Sequence, residues 1–138
     1  MPATANFTAM FSAALFFACT SAPARAEMVR FTADLLPVAG TGSSASGNLV
    51  ADYDTNSKKL TWSGTYKGVA TYATSASFHG AAAGPRRGVV RLQAIDSPFQ
   101  GSAILGEKQS EGLLAGEWSL VVRTAGFPKG ELRGQLVR

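Results

Sequence analysis

The chain has 138 residues, with 13 lysines and arginines against 9 acids, one histidine and one cysteine. That length allows one domain, and a charged fraction of 16% with a hydrophobic fraction of 46% excludes a disordered tail or a coiled coil. A single cysteine excludes a disulfide-stapled miniprotein, and the chain is too short for us to expect a two-lobed cofactor enzyme.

The first 26 residues have the pattern of a secretory signal peptide. Between Ala9 and Cys19 the only polar residue is Ser12, and an apolar run of this length suits export but is too short to span a membrane. Ala24-Arg25-Ala26 then supplies a small-x-small cleavage sequence. We therefore expect cleavage after Ala26 and a secreted or periplasmic protein.

Two other interpretations of this segment stay open. One is that the segment is a disordered apolar tail. The other is that it is the leader of a lipoprotein acylated on Cys19, although Phe16-Phe17-Ala18 matches a lipobox only weakly. Cleavage leaves residues 27–138 as a mildly basic domain without cysteine or a transmembrane span. Its basic residues form no stripe interleaved with aromatics, so we expect no nucleic-acid partner.

The mature region has the pattern of short β-strands separated by glycine-rich turns, and all 15 glycines lie after residue 26. Apolar and polar residues alternate with the period of two that is typical of a strand with one buried face. About eight such runs occur; in chain order they begin at Val29, Leu49, Leu60, Ala76, Val90, Phe99, Trp118 and Leu132.

These runs predict an all-β fold, an antiparallel β-sandwich or barrel. The polar stretch 54–58 has the length of a hairpin loop, so the second and third strands are expected to pair antiparallel. Gln109–Leu114 alone resembles a helix, of about one turn because glycines interrupt it. Trp62 and Trp118 have inward parity and are interpreted as core residues.

Candidate catalytic and binding motifs are weak. The one histidine, His79, has no G-x-S-x-G partner motif, and most acids lie in loops or at strand ends, where solvated charge is expected. Asp52-x-Asp54-x-Asn56 resembles the opening of a calcium loop but fits a polar hairpin turn better. Gly40-Thr41-Gly42 lacks the helix of a phosphate loop, and Arg86-Arg87 marks a solvated turn.

Three segments together resemble the CHRD domain, the repeated module of chordin, whose single-copy relatives occur in exported bacterial proteins. In chain order they are S-A-S-F-H-G-A-A from Ser75, S-P-F-Q-G-S-A from Ser97 with G-L-L-A-G-E from Gly112, and R-T-A-G-F-P-K-G-E-L-R-G-Q-L from Arg123. The third is the most specific, and together they cover roughly the whole mature chain. The resemblance implies an immunoglobulin-like or superoxide-dismutase-like β-sandwich, an exported module, and no established enzymatic activity.

The resemblance also implies a site that this chain has changed. Relatives commonly carry A-H-I-H-G and Y-V-N-V-H-T, which would offer three histidines for copper or zinc. Ser77 and Arg123 replace two of them here, and only His79 remains. Arg123, Glu131, Arg133 and His79 are instead expected to share one face if their strands are neighbours, as an ion-pair network or as an anion pocket.

We therefore predict a non-catalytic binding module without a cofactor, whose partner is a protein, a cell-surface polymer or a second copy. The turns Gly84-Pro85-Arg86-Arg87 and Phe127-Pro128-Lys129-Gly130 are candidate contacts. The alternative is a copper- or zinc-binding envelope protein that uses His79 with nearby carboxylates. Neither the partner nor the oligomeric state follows from the sequence.

Overall fold

A computed structural model describes residues 27–80 and 90–138. The elements are eight strands and one helix, in the order β1 (Met28–Pro37), β2 (Ser46–Asp54), β3 (Lys59–Lys67), β4 (Ala73–His79), β5 (Val90–Arg91), β6 (Phe99–Ile104), α1 (Glu107–Leu114), β7 (Ser119–Thr124) and β8 (Leu132–Gln135). The all-β prediction is therefore confirmed. The signal-peptide and Arg86-Arg87 predictions concern residues outside the described ranges.

All eight strands join in one antiparallel sheet in the order β5-β4-β7-β8-β1-β2-β3-β6. β1 connects its two halves, because most of β1 pairs with β2 while Leu36 and Pro37 pair with β8. The sheet thus folds over into a nearly closed, barrel-like sandwich. β2 and β3 pair antiparallel around the polar turn, as predicted.

The core lies between the two halves, and its centre is aromatic. The ring of Phe78 on β4 lies 5.2 Å from that of Trp62 on β3 and 5.5 Å from that of Trp118. All three side chains are buried, which confirms the inward parity of both tryptophans. A Cβ at Gly101 would lie 2.7 Å from Cζ2 of Trp62, so glycine on β6 makes room for the indole ring.

Two local predictions need correction. The helix Glu107–Leu114 has two turns rather than one, because Ser110 Oγ lies 2.6 Å from the Tyr53 hydroxyl and fixes the first turn to the core. The strand predicted to begin at Val90 is only two residues long and ends at Arg91. Leu92 is still buried and its N–H donates to the Ala76 carbonyl at 2.9 Å, after which the chain leaves the sheet.

Candidate functional site

The outer face of the β5-β4-β7-β8 half of the sheet carries a cluster of basic side chains. Pairing places Ser77 opposite Val121, and Val121 opposite Arg133. Arg91 lies opposite Ser77 on the other side. Since alternate residues of a strand share a face, Arg123 and His79 belong to the same surface. We call Ser77, His79, Arg91, Arg123 and Arg133 the basic face.

A short hydrogen-bonded chain orders the centre of this basic face. The hydroxyl of Ser77 lies 2.8 Å from Nε2 of His79, and Nη1 of Arg123 donates to the same hydroxyl at 3.3 Å. Ser77 is 6% exposed, and the adjacent residues Ala76 and Phe78 face the core on the opposite side of the strand. The buried hydroxyl therefore connects the imidazole to the guanidinium across two neighbouring strands.

The electrostatics of the basic face favour a neutral imidazole beside two positive charges. Burial lowers the pKa of His79 below its ordinary value, and the charges of Arg123 and Arg133 lower it further. Within the described ranges the single ion pair joins Arg30 to Asp52, at 2.8 Å on β1 and β2. The arginines of the basic face thus have no carboxylate partner in the part of the chain that the structure describes.

Glu131 is buried and forms no ion pair with these arginines among the described residues. Its carboxylate accepts hydrogen bonds from Ser43 Oγ at 2.6 Å, Thr124 Oγ1 at 2.7 Å and the Ala70 N–H at 3.1 Å. The side chain is 0% exposed, unlike the solvated acids expected from the sequence. Burial would raise its pKa, but the three hydrogen bonds together hold the pKa below its ordinary value.

Within the described ranges, the surroundings of His79 offer few groups for binding a metal ion or activating a serine. Among residues 27–80 and 90–138, no group of three histidine, cysteine or acidic side chains could hold a metal. A guanidinium has no free lone pair to offer and repels a cation. Serine activation needs an imidazole that readily accepts a proton, whereas burial first and then the charges of Arg123 and Arg133 oppose protonation of His79.

The acids of the supposed calcium loop are engaged in other contacts. Asp52 pairs with Arg30, and the Asp54 carboxylate accepts from the backbone N–H groups of Asn56 and Ser57 at 2.8 and 3.2 Å. These are the bonds of a polar turn, as predicted. The turn from Phe127 to Gly130 joins β7 to β8, with Pro128 and Lys129 exposed.

The sequence analysis missed Arg91 as a member of the basic face. Its signal is the polar position that it occupies between apolar Val90 and Leu92, which places it on the outer face. The alternation does not say which strand lies beside β5. Only the pairing of β5 with β4 brings Arg91 next to Ser77.

Comparison with known proteins finds one family. The CHRD domain matches residues 31–136, nearly the whole described region. Neither the curated proteins nor the solved structures contain a significant match to this chain.

No helix in the described ranges is long and apolar enough to cross a membrane. The CHRD match extends over most of the chain and shows that the chain belongs to the CHRD domain family.

Proposed function

We propose that this CHRD domain is a non-catalytic binding module that recognises an anionic group, a carboxylate first of all, on its partner. One observation carries the proposal: Arg123 and Arg133 lie on the adjacent strands β7 and β8 near His79, with no acid paired to them among the described residues. Arginine presents donors in a fixed fork that fits two carboxylate oxygens. The partner is a protein or a cell-surface polymer.

The contact should be specific to the basic face rather than to net charge. Arg133 is exposed and Arg123 half-buried, so a ligand reaches both guanidinium groups without any change in the fold. Because the Ser77 hydroxyl fixes Arg123, one donor group is already ordered before binding. Binding should weaken as salt concentration rises, since exposed charges are screened.

Calorimetric titration with two carboxylate polymers, polyglutamate and polygalacturonate, tests the proposal and separates a protein-like partner from a polysaccharide. The double variant Arg123→Gln/Arg133→Gln should bind the preferred polymer at least about tenfold more weakly. Lys67→Gln/Lys108→Gln removes the same charge from exposed positions elsewhere and should bind normally. Equal weakening by both pairs, or binding of neither polymer, contradicts the proposal.

A thermal melt with copper(II), zinc or EDTA tests the metal alternative in the same preparation. A ligand that binds only the folded state raises the melting temperature. The proposal expects no shift with either metal, because positive charge surrounds His79. A clear rise with one metal that disappears in His79→Ala would replace the anion proposal with the metal one.

We further propose that the domain is exported after cleavage behind Ala26. The supporting observation is that the carbonyl of Glu27 accepts a hydrogen bond from the Thr55 N–H at 3.0 Å, and β1 begins at Met28. Removal of residues 1–26 therefore costs the described sheet no strand.

A further inference from the structure

The edge of the sheet at β6 is open for pairing. Among the described residues β6 pairs on one side only, with β3, and it ends the strand order. The Leu105 N–H donates to the Lys58 carbonyl at 2.8 Å, so these two residues form a hydrogen-bonded pair. In an antiparallel ladder hydrogen-bonded and non-hydrogen-bonded pairs alternate, so every second pair along β3 and β6 is not hydrogen-bonded. The backbone groups of Gln100, Ser102 and Ile104 therefore point away from β3.

Within residues 27–80 and 90–138, this edge lacks the features that usually keep strand edges from pairing. β6 contains no charged residue, no proline and no interruption, and the side chain of Ile104 is 67% exposed. Natural edge strands are usually protected by lysine, proline, a bulge or a covering segment. Gly101 and Ala103 face the core yet are only partly buried, because among the described residues no further strand lies beside them.

The edge is also complementary to itself. A two-fold axis at Ser102 would set two β6 strands antiparallel, with Ser102 opposite its own copy and Gln100 opposite Ile104 of the second copy. Each outward N–H then meets an outward carbonyl. On the core side Gly101 would face Ala103 of the second copy, and these small residues allow close approach. No charged side chain of β6 opposes another across the axis.

We propose that two copies of the chain form a dimer by antiparallel pairing of β6 with β6. The sheet then continues from one copy into the next, and the contact is of the closed, isologous kind that two-fold symmetry produces. The basic face lies on the other half of the sandwich, so dimer formation leaves it exposed on both copies.

Sedimentation velocity over a concentration series, on the chain expressed from its full sequence and purified as the cell processes it, tests the dimer. Ser102→Lys would set two ammonium groups opposite each other and should weaken dimerisation at least about tenfold. The matched control Ser63→Lys places the same charge on β3, one strand further in, and should dimerise normally. Circular dichroism verifies that both variants fold.

A charge-reversal mixture gives a second, independent test. Ser102→Glu alone should be monomeric for the same reason, whereas an equimolar mixture with Ser102→Lys should form a heterodimer. As the concentration of the wild-type protein is raised, the amide protons of Ser102 and Ile104 should exchange more slowly with solvent, while the exchange rates of Gly101 and Ala103 should change little. A wild-type chain that stays monomeric at its highest soluble concentration, or a mixture that does not associate, overturns the proposal.

Discussion

At the scale of single residues, Glu131 shows how a buried charge connects separate parts of the fold. Its carboxylate receives Ser43 from the loop before β2, Ala70 from the loop after β3 and Thr124 from the end of β7. Gly130 precedes it with φ of 129°, a conformation that other residues adopt only with strain. The tight turn directs the side chain inward, where three donors compensate its burial.

We expect Glu131→Ala to lower the free energy of unfolding by about 2–3 kcal/mol, because it removes three hydrogen bonds to a buried carboxylate. Ser43→Ala removes only one donor and should cost about 1 kcal/mol. Urea denaturation monitored by tryptophan fluorescence measures both. Equal effects of the two variants would contradict this account of Glu131.

Glu131 also predicts a dependence of stability on pH. Its pKa is lower in the folded than in the unfolded chain, so its contribution is complete above the unfolded pKa of about 4.5 and is lost as pH falls through the folded pKa. Asp52 and Asp54 have lowered pKa values for other reasons and contribute in the same direction. Urea midpoints measured from neutral to acidic pH should therefore fall less steeply in Glu131→Gln than in the wild type.

The pKa of His79 depends on the arginines around it. Because burial and then the charges of Arg123 and Arg133 lower its pKa, its imidazole proton signals should titrate below the ordinary value of about 6.5. Arg123→Gln and Arg133→Gln should each raise that midpoint, while Lys108→Gln on α1 should leave it unchanged. A proton NMR titration measures all four proteins, and an arginine variant without effect would remove that residue from the basic face.

At the scale of elements, β3 and β6 approach closely where a glycine lies opposite an aromatic ring. Gly101 lies opposite Trp62, and the indole ring covers it on the core side. The indole Nε1 is buried without a hydrogen-bond partner in the described part of the chain. The packing of the ring, rather than its polar atom, therefore holds this edge of the sandwich.

We expect Gly101→Ala to destabilise the fold by about 1–3 kcal/mol, because its Cβ would overlap the indole ring. Trp62→Phe removes the ring atoms that cause the overlap, so the double variant should be more stable than the sum of the single effects predicts. Thermal and urea unfolding of the four proteins give the coupling. Strictly additive effects would show that the two residues do not interact in this way.

At the scale of the whole molecule, the boundary of the domain has a direct test. Cleavage after Ala26 predicts a purified protein that begins at Glu27, which intact-mass spectrometry measures. Ala26→Phe places a bulky residue where the cleavage sequence needs a small one and should accumulate the longer chain. Arg25→Lys changes only the middle position and should be processed normally. A lipid-modified mass at Cys19 would support the anchored alternative instead.

The whole molecule also places its two proposed surfaces on different halves of the sandwich. The basic face lies on β5-β4-β7-β8, and the free β6 edge ends the other half. A dimer through β6 would therefore present two basic faces at once. A polymer with repeated carboxylates could then contact both copies, which increases the overall affinity without a new contact.

The alternation of apolar and polar residues by itself determined where most strands lie, their inward faces and the all-β class. Phe31, Tyr53 and Trp118 are buried as the period of two requires, because each strand has one face in the core. The family followed from motifs that are local in the chain. The tertiary structure alone decided which strands are neighbours, since alternation encodes a face and not a partner. It therefore brought Arg91 beside Ser77 and paired Glu131 with donors 61 and 88 residues distant in the chain rather than with an arginine.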